Sequence, residues 1–83
     1  MTSGRQAQEK IPWGDTAVLV LLDGPEGRTV AAEGSLRQIV NRIAARPSSE
    51  WHRFSISLPD RGAAPFAFES DDFNTLILEL RLD

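Results

Sequence analysis

The sequence predicts an α+β domain, a mainly antiparallel sheet of two β-hairpins with one central amphipathic helix packed on it. A C-terminal helix or strand completes the order ββαββ plus one. Three observations carry this. Apolar residues recur at helical spacing across Ser35–Arg46. Short apolar runs on either side are each broken by a Gly/Pro turn. Eighty-three residues, 41% of them hydrophobic, suffice for one modest core and no more.

Residues 1–10 are polar and aperiodic, and a flexible tail is expected over 1–12, with the single domain spanning 13–83. Trp13 precedes the first strand, where a large aromatic covers the rim of a core or offers a partner-binding side chain. Ala17–Leu22 is a continuous apolar run, too short for a typical helix and rich in Val, so it reads as a strand. A strand apolar on both faces is either covered on both sides or interior to the sheet and partly exposed. The two candidate covers for its second face are the segment around Trp13 and an external partner. Gly24-Pro25-Glu26-Gly27 makes the turn, and Arg28–Glu33 returns as a weaker strand. Simple alternation puts Thr29, Ala31 and Glu33 on one face, Val30 and Ala32 on the other.

The helix stripe is Leu36, Ile39, Val40, Ile43 and Ala44. Ser35 and Gln38 form a capping box at its start, and Pro47 ends it after Arg46. Twelve residues give about 18 Å of helix, which needs the sheet for support. Next, Trp51–Leu58 alternates: Phe54, Ile56 and Leu58 face one way, Arg53, Ser55 and Ser57 the other. Pro59–Gly62 turns the chain, and Phe66–Phe68 returns as a short strand that Pro65 marks as an edge. The last segment satisfies two patterns. Phe73, Leu76, Ile77 and Leu80 have helical spacing behind a Ser70-Asp71-Asp72 cap. Leu76, Leu78, Leu80 and Leu82 alternate as a strand would. The cap and the leucines tip the reading towards helix.

Function is bounded mainly by exclusion. With no cysteine, thiol nucleophiles, disulfides and cysteine-ligated metals are impossible. A reducing, cytoplasmic setting is expected, since the N-terminal residues lack the apolar centre of a secretory signal and no run approaches a membrane span. The net charge of −3 disfavours a general nucleic-acid surface. His52 is the only histidine, and no sequence neighbour fixes a nucleophile and an orienting acid around it; a rim position beyond Phe54 on the strand is expected. Asp71-Asp72 lacks the further oxygen ligands a cation needs and reads as helix capping. No catalytic residue, metal or cofactor is therefore assigned, and the protein is expected not to be an enzyme.

What is left is binding. Arg37, Arg42 and Arg46 lie on the polar side of the helix, and Arg42 and Arg46 are a turn apart near its C-terminus, where cations suit the dipole. As structure they are a solvated face. As function they are, with Trp13, the candidate partner-binding residues. The expected function is a small protein–protein interaction module, a standalone bacterial or phage regulator or inhibitor of the antitoxin, immunity or anti-defence kind, either with a protein partner or as a homodimer. The alternative is a binder of nucleic acid or its machinery through one patch of the three arginines. A small enzyme built on His52 ranks third.

Overall fold

A computed structural model describes residues 11–62 and 66–82. It contains β1 (Thr16–Gly24), β2 (Gly27–Ser35), α1 (Leu36–Ala44), a 3-10 helix (Ser48–Arg53), β3 (Phe54–Ser57), β4 (Ala67–Phe68) and α2 (Ser70–Leu82). The four strands form one antiparallel sheet in the order β2-β1-β3-β4. The α+β class and both hairpins are as the sequence predicts. Pro65 lies outside the described residues, as do residues 1–10 of the expected tail, while Ile11 packs against the core.

Both helices contribute to one core on one side of the sheet. Ala17 and Leu19 of β1 and Phe54, Ile56 and Leu58 on and after β3 meet Leu36, Ile39, Val40 and Ile43 of α1 and Phe73, Leu76 and Ile77 of α2. The β1 run is apolar on both faces because β1 is the interior strand, paired on both edges, with half-buried Val18, Val20 and Leu22 on its second face. Gly27 closes the first turn at φ +90°, a left-handed conformation only glycine adopts cheaply.

Every donor in the first turn of α1 has a partner. The Leu36 amide donates to the Asp15 carbonyl at 2.9 Å and the Arg37 amide to the Trp13 carbonyl at 3.1 Å. The Gln38 amide donates to Ser35 Oγ at 3.2 Å, and the Ser35 amide donates back to Gln38 Oε1 at 2.9 Å. The expected capping box is therefore complete. The same two carbonyls dock the segment before β1 onto the helix start. Trp13 thus packs on the core side and does not cover the second face of β1.

Four local expectations are corrected. First, α1 ends at Ala44 rather than Arg46, leaving Ala44 exposed. Its last turn tightens: the Arg46 amide reaches only three residues back, to the Ile43 carbonyl at 3.0 Å, before Pro47 forbids further helix. Second, β2 does not alternate throughout. Leu19 pairs with Ala32 and Val20 with Val30, so Ala31 is the extra residue of a β-bulge. Thr29 and Ala32 therefore share the core side, and Val30 and Glu33 the other. Third, Trp51, His52 and Arg53 belong to the 3-10 helix, not to the strand, which begins at Phe54. Trp51 is turned inward there: its Nε1 donates to the Ile43 carbonyl at 3.1 Å and its ring meets Phe73 edge-on, centroids 6.2 Å apart. Fourth, the final segment is helix, as its cap and leucines favour, and only the place of the cap changes. Ser70 is its first residue rather than its cap, and Asp72 Oδ2 accepts from the Glu69 amide at 3.1 Å. The helix leaves Leu78 and Leu82 outside, 51% and 80% exposed.

Candidate interaction surfaces

The predicted site residues separate into two places. Arg37 sits at the start of α1, its guanidinium 5.6 Å from the centre of the Trp13 ring, a cation–π contact between two of the candidate partner-binding side chains. Arg42 and Arg46 sit at the other end. They line a groove of about 240 Å³ whose other walls are Leu19, Ala31, Ala32 and Ala45. Five residues of helix, about 7.5 Å of rise, separate Arg37 from Arg42. The three arginines do not share one lining.

The groove exists because its walls are small. The bulge in β2 presents both Ala31 and Ala32 to the helix side, where a regular strand would present one side chain. Across from them, Ala45 caps the helix with a single methyl group. Arg46 lies 4.7 Å over the Phe54 ring and pairs with Glu50 at 3.3 Å. Both members of that ion pair are well exposed, so it holds the arginine weakly. Arg42 is exposed and makes no ion pair or side-chain hydrogen bond among the described residues. Sequence reasoning found both arginines but not the groove, since alternation hid the bulge and alanines announce nothing by themselves.

A second surface is the sheet face away from the helices. Val18, Val20 and Leu22 form its centre, with Val30 beside them on β2 and Ser55 and Ser57 on β3. Val30 is 57% exposed. None of these four apolar residues packs against the core cluster, and among the described residues both helices lie on the opposite side. At the rim, Arg53 Nε donates to both carboxylate oxygens of Asp23, at 3.1 and 3.0 Å. Across the sheet, Arg61 Nη1 donates to Asp15 Oδ2 at 3.0 Å, tying the loop after β3 to the entry of β1.

His52 is exposed on the 3-10 helix and has no hydrogen-bond partner among the described residues. A histidine acting as a base needs a group that orients its ring. Asp72 is occupied as a helix cap, and among the described residues no cluster of three metal-ligating side chains occurs. No helix among them is long and apolar enough to cross a membrane.

No family model, curated protein or solved structure matches the chain.

Proposed function

We propose that this is a small non-enzymatic protein–protein interaction module, acting as a regulator or inhibitor of the antitoxin, immunity or anti-defence type. One observation carries the reading. The sheet has a helix-covered face and a second face whose centre is Val18, Val20 and Leu22, with the exposed Val30 at its side. Contiguous apolar surface bounded by polar residues marks an interaction site in a small domain. The cysteine-free composition fits a reducing, cytoplasmic setting. The nucleic-acid alternative draws less support, because Arg37 is held at Trp13 while Arg42 and Arg46 line the groove, and the net charge is −3.

The test is capture from lysate of the host with tagged wild-type chain and with V30K, each followed by light scattering. Val30 is exposed, so the substitution should change stability by no more than about 0.5 kcal/mol. A stoichiometric protein retained by the wild type and lost by V30K supports the reading, as does a homodimer that V30K dissociates. A monomer that retains no protein, or a partner held equally by V30K, overturns it.

A further inference from the structure

The groove beside β2 combines features that define its occupant more closely than the apolar face does. We propose that it binds an extended acidic peptide segment of a partner protein, which adds as a strand along the free edge of β2 and sets a carboxylate against Arg42 and Arg46. The proposal rests on the interaction-module reading and names the partner's chemistry.

Three observations converge. Among the described residues β2 is an edge strand, nine residues long, with no strand paired along its outer side, the arrangement that a further strand can extend. On the helix side of this strand, Leu19, Ala31, Ala32 and Ala45 give the groove small apolar walls that a side chain of an added strand can approach. At its helix wall stand two guanidiniums: Arg42 is unpartnered among the described residues, and Arg46, stacked over Phe54, has as its ion-pair partner only the exposed Glu50. A ligand carboxylate can engage the first and take the place of Glu50 on the second, in charge-assisted hydrogen bonds that arginine forms well. On a chain of net charge −3, these two guanidiniums give the groove a local charge complementary to a carboxylate. The bulge has a second effect. It breaks the regularity of the edge and disfavours indiscriminate strand pairing, so a ligand gains most where its side chains use the groove.

The experiment pans the 83-residue chain against a displayed library of random short peptides. The retained pool should be enriched in Asp and Glu over the unselected library. A synthetic peptide from that pool should slow amide hydrogen exchange along β2, and should bind R42E about tenfold more weakly than wild type. R42Q, which removes the charge without reversing it, should fall between them, and circular dichroism checks that both variants are folded. A pool without acidic enrichment, or no pool above background, overturns the proposal. So does equal binding by R42E, or exchange protection away from β2. Self-association through β2 in the absence of peptide overturns it too, by placing a second copy on that edge. If the peptides fail while V30K still abolishes partner capture, the groove assignment falls and the interaction-module reading stands. If the wild type captures nothing either, both fall.

Discussion

Replacing Ser35 by alanine isolates one hydrogen bond at the start of α1. Of the amides that a helix leaves unpaired in its first turn, those of Leu36 and Arg37 are met by the Asp15 and Trp13 carbonyls. The Gln38 amide depends on Ser35 Oγ alone, at 3.2 Å. The S35A chain keeps the reverse bond, from the Ser35-position amide to Gln38 Oε1, because that donor belongs to the backbone. It therefore loses a single acceptor, at an exposed site where water replaces part of the interaction. The expected cost is about 1 kcal/mol, towards the middle of the range for cap removal. On a domain of this size that lowers the melting temperature by roughly 4–8 °C. S35G should cost only a few tenths of a kcal/mol, since glycine leaves the cap amides open to water. Far-UV circular dichroism melts of the three chains measure both differences. A melting temperature for S35A within a degree of wild type would refute the argument that this side chain holds the helix start.

Two further substitutions test the core and the first turn. F73A removes a ring that is 1% exposed and meets Trp51 edge-on, and should cost about 3–5 kcal/mol, a large share of what so small a domain has. Urea unfolding followed by tryptophan fluorescence should show a much lower midpoint, and an unchanged midpoint would place Phe73 outside the core. G27A should cost about 1 kcal/mol through backbone conformation alone, because φ is +90° and a Cβ there meets nothing within 4 Å. A G27A chain as stable as wild type in the same urea titration would mean that the turn changes its conformation freely.

The parts of the fold that were legible in the sequence are those where local chemistry and tertiary packing ask for the same thing. Ser35 and Gln38 specify a helix start by themselves, and the start is where they put it. Phe54, Ile56 and Leu58 alternate and are buried together. The misreadings arise where one pattern imitates another. Trp51 and Phe54 are three apart, which suits a helical turn as well as the end of a longer strand, and Pro47-Ser48-Ser49-Glu50 is a helix-initiating sequence. Tertiary packing settled the matter by aiming the Trp51 ring at Phe73. The bulge at Ala31 was invisible because Val30, Ala31 and Ala32 carry no signal for which one is extra. With it the groove is hidden too, although the charge of two of its lining residues, Arg42 and Arg46, is plain in the sequence.

The position of β1 has a consequence for synthesis of the chain. Of the described strands it is made first, yet it is interior to the sheet, and its second neighbour, β3, begins at Phe54, 30 residues after Gly24. At ordinary translation speeds that interval lasts roughly 2–6 s. Throughout it, a nascent hairpin followed by α1 presents the whole β3-facing edge of β1, Val18 to Leu21, to solvent or to a chaperone. The finished domain pairs both edges of this apolar strand, whereas the growing one leaves one edge open, so yield in the cell should depend on how quickly the ribosome passes from Gly24 to Ser57.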